Sequence, residues 1–407
     1  MTKKSINNDP DNFQFGLEGE FMLVSETAPL WIHDMTFEHL LDIVDAIDTS
    51  DLRMDGLNKK PLHHHRNHYL IEGYTLTDAC MQPEKLLPKG IEARTPTTAT
   101  IEEAIATLDD LHTRLRTALD AQGLDTAIIG HHPVYCDFDS PRNYHRDDYW
   151  QWARTATATY GPDINISLPS MLDRQIDTGA LALKSNYYMP AAAALSFASP
   201  FFEGTLWQPA IAGGEGRATG SDIISGVGFV SDADVDFDSS IQGRSVRAFR
   251  RCLWAPAHYV HNDDQDRPRY EFKAFEMAQD LRDYHAYFLI GLAILLDGTL
   301  KGEATPVEHV TRMRHTAIYG LTDRLIRDTA AELIDSADRT AKKYGFANTG
   351  LDEMQRRIDT QTTPADTMIA QYKRCSNDLM LFLASRKGFT GRQGAESFDA
   401  TALTTVE

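Results

Sequence analysis

Four short segments of this sequence place chemically capable side chains two residues apart. GLEGEF carries Glu18 and Glu20, and GIEARTP carries Glu92 and Arg94. PDINISLP carries Asp163, Asn165 and Ser167, and RYEFKAF carries Arg269, Glu271 and Lys273. On a strand, side chains at i and i+2 point the same way. The residues between them are apolar, small or β-branched and turn to the opposite side. Four such strands side by side make a sheet with one apolar face and one face lined by carboxylates and cations. A wetted face is the bland reading of any single strand, but lysine and threonine would serve water as well as the recurring glutamate does. Clustered carboxylates repel one another unless a cation holds them, and oxygen donors of this kind suit Mg²⁺ or Mn²⁺. Arg94, Arg269 and Lys273 then stand ready for a phosphate or a substrate carboxylate.

Such strands need a framework around them. Phe13 to Val24 alternates, with Phe13, Phe15, Leu17, Phe21 and Leu23 on one side and Gln14, Glu18 and Glu20 on the other. Thr100 opens a helix with Glu103 at the capping-box position and Gly123 after its end, and Ile101, Ile105, Leu108, Leu111, Leu115 and Leu119 form its apolar stripe. Residues 280–301 read as a buried helix. Beyond Thr305-Pro306 the sequence is nearly all helical, with breaks at Gly320 and Gly345. The glycine- and aspartate-rich stretch 203–268 reads as long loops. The expected organisation is a loose N-terminus at 1–12, one α+β domain at 13–387 that turns helical from about 302, and a flexible tail at 388–407. A division into two domains near residue 300 is the alternative.

Composition narrows the partners. The chain of 407 residues has 59 acidic and 40 basic residues, for a formal net charge of -19. That surface repels nucleic acid and anionic lipid, but a local cation cluster or bound metal still admits small anions. The four cysteines, Cys80, Cys136, Cys252 and Cys375, form no CxxC pair, which argues against a thiolate zinc site and a disulfide framework. The first twelve residues lack the apolar core of a signal peptide, and the apolar run Ala286 to Leu296 is about half the length of a membrane span. A cytoplasmic protein acting on small molecules, with self-association left open, is the expectation.

In order and approximate spacing, GLEGEFMLV, KGIEARTP, GHHP, ALSFASPFFEG, RYEFKAF and MRHTAIYGL resemble the glutamate–cysteine ligase and carboxylate–amine ligase family over roughly residues 13–321. The resemblance implies a glutamine-synthetase-like α+β fold, an antiparallel sheet whose concave face binds ATP and Mg²⁺. It also implies activation of a carboxylate, typically the γ-carboxylate of glutamate, as an acyl phosphate that an amine or amino acid attacks. On that likeness Glu18, Glu20, Glu92 and Glu271 match metal carboxylates. Lys273 matches a basic residue that is usually arginine, and the exchange keeps the charge but loses the planar fork. At YGPDINISLP related ligases often carry His-x-His, or Gln and Asn in another branch; here Asp163 and Asn165 offer oxygens instead. The working assignment is Glu18, Glu20, Glu92, Asn165 and Glu271 for metal, Arg94, Asp163 and Glu72 for substrate, Arg94 and Lys273 for chemistry, and Lys273, Arg269 and Arg217 for ATP. A phosphotransferase and a non-catalytic binding protein on the same scaffold are the alternatives.

Other signals carry less. His63, His64, His65 and His68 invite a zinc reading, but neighbouring histidines diverge and no further ligand follows at suitable spacing; a solvated or substrate-rim loop is preferred. His131-His132-Pro133 reads as a turn in which His132 is either functional or a buried hydrogen-bonded residue. GGEGRATG from Gly213 fails the dinucleotide pattern, and no Gly-Lys-Ser/Thr phosphate loop occurs. Phosphate contacts must then come from metals and basic side chains, with the run Arg244, Arg247, Arg250, Arg251 as candidates and the last two read as surface charges. Arg312 and Arg314 are read as pairing with surface acids.

Overall fold

The computed structural model describes residues 12–139, 141, 154, 156–208, 241–252, 256–260 and 267–391. In chain order the first half holds β1 (Gln14–Ser25), α1 (Phe37–Asp45), β2 (Tyr69–Thr77), β3 (Pro83–Arg94), α2 (Ile101–Asp120), β4 (Leu124–Ala127) and β5 (Pro162–Ser167). A short helix α3 (Ser170–Asp173), the long helix α4 (Thr178–Ala194) and a small hairpin β6 (Phe201–Phe202) and β7 (Thr205–Leu206) follow. Then come α5 (Val246–Arg251), β8 (Ala257–Val260) and β9 (Arg269–Phe272). Six helices end the described chain: α6 (Leu281–Leu296), α7 (Pro306–Tyr319), α8 (Arg324–Tyr344), α9 (Leu351–Thr360), α10 (Pro364–Arg374) and α11 (Leu379–Ala384).

One antiparallel sheet organises the molecule, in the order β2-β3-β1-β5-β9-β8, with β4 pairing the far end of β1. Alternation decides its two faces. Phe15, Leu17, Ile91, Ala93, Ile164, Ile166, Tyr270 and Phe272 turn to one side and are buried. α2 and α6 cover them: a Cβ on Gly19 would lie 3.3 Å from Leu108, and one on Gly291 would lie 3.0 Å from both Ile166 and Phe272. The mixed α+β class expected from the pattern is what forms.

The helix signals resolve as expected. Thr100 Oγ1 accepts the Glu103 amide at 3.1 Å, and Ile101, Leu108, Leu111, Leu115 and Leu119 are buried. Thr305 and Glu308 make a complete capping box ahead of α7. α7 ends at Gly320 and α8 at Gly345, both at positive φ, where a side chain would be strained. No described helix is long and apolar enough to cross a membrane.

Two expectations change. The segment 203–268 is not all loop among its described residues, since it contributes α5 and β8. Residues 388–391, expected to open a flexible tail, are packed: Phe389 is buried against Phe21, His112 and Tyr284, and Thr390 donates its amide to Gln279 O at 2.8 Å. An aromatic placed one residue beyond a flexible-looking Gly388 joins the core among rings from β1, α2 and α6.

Candidate active site

The sheet register brings the strand-spaced residues together. Glu18 lies opposite Arg94 on one side and Asp163 on the other. Glu20 lies opposite Glu92, and Asn165 opposite Glu271. Because each partner pair shares a pleat, Glu18, Glu20, Glu92, Arg94, Asp163, Asn165, Arg269 and Glu271 all project from the face opposite α2 and α6. Glu72 joins them from β2.

Two carboxylate clusters result. In one, oxygens of Glu18, Asp163 and Glu271 lie within 4.8 Å of one another; in the other, oxygens of Glu20, Glu72 and Glu92 do the same. The first contains a counter-charge: Lys273 Nζ donates to Asp163 Oδ2 and lies 3.3 Å from Glu271. Burial opposes ionisation of Asp163, but the Lys273 charge and hydrogen bond hold it below its usual range. Lys273 is itself held above its ordinary value, against the cost of burial, by Asp163, Glu271 and Glu18. One ammonium does not serve three acids. Glu18 is pushed up to about 7, by burial first and then by Asp163 and Glu271.

The second cluster is also short of cations. Lys89 Nζ holds Glu20 at 2.8 Å, and Arg94 Nε comes only within 3.8 Å of Glu92. Burial, then Glu72 and Glu18, drives Glu92 well above the ordinary carboxylate range, and burial followed by Glu20 raises Glu72. Both clusters offer hard oxygen donors in excess of the cations beside them, so they fit a divalent cation such as Mg²⁺ or Mn²⁺.

Around the clusters, Arg269 donates from Nε to Asn165 Oδ1 at 2.8 Å, which aims the amide. Arg94 is spent on the backbone, donating to Asn58 O at 3.2 Å and Asn67 O at 2.8 Å. It thereby straps the segment before β2 to the sheet. Arg217 and the Gly213 stretch lie outside the described residues.

Lys89 is absent from the sequence assignment. By strand parity it belongs with Ile91 and Ala93 on the apolar side. The pairing of β2 with β3 shifts between Glu72↔Gly90 and Gly73↔Pro88, leaving Lys89 as the extra residue of a bulge. The bulge turns its ammonium to Glu20 and to Thr159 O at 2.7 Å. A proline inside the strand, Pro88, is the signal that marks such an irregularity.

Other expectations are corrected. Arg250 and Arg251 are half-buried rather than surface charges: Arg250 donates to Cys136 O and stacks over Phe202, and Arg251 reaches Thr159 Oγ1 at 3.4 Å. Arg312 lies 4.0 Å over the Tyr187 ring, and Arg314 donates to Cys252 Sγ at 3.3 Å. His63 is buried in the fold, accepting the Ile71 amide at 3.0 Å, while His64 and His65 are exposed. His132 accepts the amides of Val134 and Tyr135 and is a turn-forming residue.

Comparison with known proteins follows the same lines. Residues 14–215 match the profile of Glutamate-cysteine ligase family 2 (GCS2). A bifunctional glutathione synthetase from Pasteurella multocida superposes with TM-score 0.55 at 11% identity, covering 92% of this chain and 52% of that one. A glutamate–cysteine ligase from Francisella tularensis, solved with AMP, superposes with TM-score 0.55 at 12% identity, covering 93% and 88%. At these identities the likeness is one of fold, and the chain spans about half the length of the bifunctional enzyme. No curated protein sequence matches.

Proposed function

We propose that this chain, whose residues 14–215 match the profile of glutamate–cysteine ligase family 2, is an ATP-dependent ligase joining a carboxylate to an amine. The carboxylate is of the glutamate class, activated at its γ position as an acyl phosphate before the amine closes the amide. The observation that carries this reading is the pair of carboxylate clusters on one sheet face. Six acids gathered in partly desolvated surroundings serve no structural purpose that two or three would not serve better.

Glu18, Asp163 and Glu271 would hold one divalent ion and Glu20, Glu72 and Glu92 another, with Asn165 as a further oxygen donor. Such ions, when bound, supply neutralisation of phosphate oxygens during phosphoryl transfer. The chain does the rest. Lys89 fixes the carboxylate of Glu20, and Arg269 fixes the amide of Asn165. Lys273 is close enough to release an acid and turn its ammonium toward an incoming phosphoryl or carboxylate oxygen. Glu18 and Glu92, both pushed upward by burial and by neighbouring acids, would be relieved of that repulsion by a bound cation. No side-chain nucleophile is required.

The test is ADP release from ATP and Mg²⁺ in the presence of glutamate and a panel of amines and amino acids, with products read by mass spectrometry. Amide and ADP in equal amounts support the ligase. A phosphorylated acid without amide makes it a phosphotransferase, and absence of ADP with every acceptor leaves a binding protein.

A further inference from the structure

Between α1 and β2 runs a loop whose charge is opposite to that of the chain. No acid occurs between Asp55 and Glu72, yet Lys59, Lys60 and Arg66 all fall there, in a protein of net charge -19. The loop has an anchored inner side, with His63, Asn67 and His68 buried. His63 Nε2 accepts the Ile71 amide at 3.0 Å, its Nδ1 lies 3.1 Å from Pro61 O, and its ring meets Phe37 edge-on. Asn67 Nδ2 donates to Asp45 Oδ1 at 3.1 Å. The Arg94 guanidinium, on the site face of β3, holds both ends of the stretch 58–67 through the carbonyls of Asn58 and Asn67. Leu62 sits at φ 69°, a left-handed conformation that a leucine keeps only where its surroundings impose it.

The outer side is cationic. Lys59, Lys60 and Arg66 are exposed, and among the described residues none of the three pairs with an acid. His65, by contrast, turns to Asp45 at 3.5 Å. Lys60 locates the loop at the site. Burial and then neighbouring acids raise Glu18 and Glu72, and Lys60 pulls both back, behind Lys273 at the first and Lys89 at the second. One lysine thus reaches an acid of each cluster, which puts the loop on their common rim. An anion approaching six carboxylates is repelled, and a fixed cation patch at the rim reverses the field locally. Because these side chains are exposed, they engage what protrudes from the site, not the group reacting within it. Three separated cations match several separated carboxylates.

We propose that the loop 58–67 binds a short acidic peptide, whose glutamyl residue is the carboxylate substrate in preference to free glutamate. Lys60 would lie beside the reacting residue, with Lys59 and Arg66 on the further carboxylates. That the peptide is a substrate rests on the ligase reading; its docking on the loop does not.

The experiment is calorimetric titration of the full-length protein, with Mg²⁺ and without ATP, using tri-L-glutamate, L-glutamate and tri-L-glutamine. Tri-glutamate is expected to bind about tenfold tighter than either, the combined effect of three exposed ion pairs, and the advantage should shrink as salt is raised. The triple variant Lys59→Gln, Lys60→Gln, Arg66→Gln should lose that advantage while keeping its affinity for L-glutamate and its melting temperature. If the triple variant does not fold, Lys60→Gln alone should lose part of the advantage. Tri-glutamate binding no tighter than L-glutamate, or no tighter than tri-glutamine, overturns the proposal. So does an advantage that survives the substitutions, or a variant that weakens Mg²⁺–ATP in place of the peptide. Because no turnover is read, peptide binding by a protein that forms no ADP would reject the ligase and keep the docking loop.

Discussion

Two regions of this molecule bury charge, and they do it oppositely. In the helical part, Asp283 on α6 meets Arg357 on α9 through two hydrogen bonds, Arg357 Nη2 reaching Oδ1 at 2.9 Å and Oδ2 at 2.7 Å. Arg357 Nη1 is satisfied by Leu195 O at 2.7 Å. Arg357 Nε also donates to Glu353 Oε1 at 3.0 Å, so the guanidinium has an acceptor for each nitrogen. On the sheet face, six carboxylates share Lys273, Lys89 and a distant Arg94, and the surplus shows as acids that hold on to protons. A matched pair ties elements together. An unmatched cluster stores repulsion that only an added cation relieves.

The contrast is broken most forcefully at the matched pair. Arg357→Met strands Asp283 in the interior and should lower unfolding stability by about 3–5 kcal/mol, read by chemical denaturation. A loss below about 1 kcal/mol would show that the pair ties nothing together. On the sheet face the balance should reverse. Glu92→Gln removes one of the crowded acids and should leave the melting temperature in chelator unchanged or higher, while ADP formation falls about 10²–10³-fold. A variant that loses stability and keeps turnover would make the cluster structural.

Lys273 is the place where the two regimes touch, since it pairs with acids yet faces the site. If it also contacts the transferring group, Lys273→Met lowers turnover by about 10² and Lys273→Arg recovers part. Turnover within a few-fold of the parent in Lys273→Met would assign it to pairing alone. The same variant should bind Mn²⁺ more tightly in the Glu18–Asp163–Glu271 cluster, by equilibrium titration.

A smaller effect comes from pH. Glu18 rises from 4.5 to about 7 on folding, so the folded state binds the extra proton. Its contribution to stability is complete below the unfolded value and is lost as pH rises through 7. In chelator, Glu18→Gln should therefore gain on the parent by about 1–2 kcal/mol between about pH 5 and pH 8. A constant difference across that range would count against the raised value. Smallest of all, Arg269→Gln frees the Asn165 amide without removing a carboxylate. Its expected mark is a few-fold rise in KM for ATP with an unchanged melting temperature.

Period-two spacing made the sheet face readable. Glu18, Glu20, Glu92, Asp163, Asn165 and Glu271 needed no more than alternation and neighbouring strands to meet. Phe15, Leu17, Ile164 and Ile166 were readable as core for the same reason. Lys89 was hidden because a bulge inverts parity over one residue, and Pro88 beside it was the one local mark of the flip. Arg251 looked like a surface charge because a short helix with four arginines in eight residues, Arg244 to Arg251, reads as solvated. Only the packing of α5 against the segment 159–161, where Arg251 reaches Thr159 and Arg247 lies over Gly161, turns it inward. Phe389 was misread because flexibility was inferred from composition, whereas the rings around it come from elements far away in sequence.

The strand order has a consequence for biosynthesis. β1, made first, sits in the middle of the sheet, while β9, which completes the cluster with Glu271, emerges from the ribosome only after two thirds of the chain has been made. At about 5–20 residues per second, Glu18 and Glu20 wait many seconds for their last neighbours, on a central strand with one edge still unpaired. The nascent chain thus carries half a site and an open sheet edge: β5 closes the edge of β1, and β9 completes the cluster later. Premature termination anywhere before residue 271 would release a species with the acids of β1 and β3 but without Glu271, and with a template for misassembly.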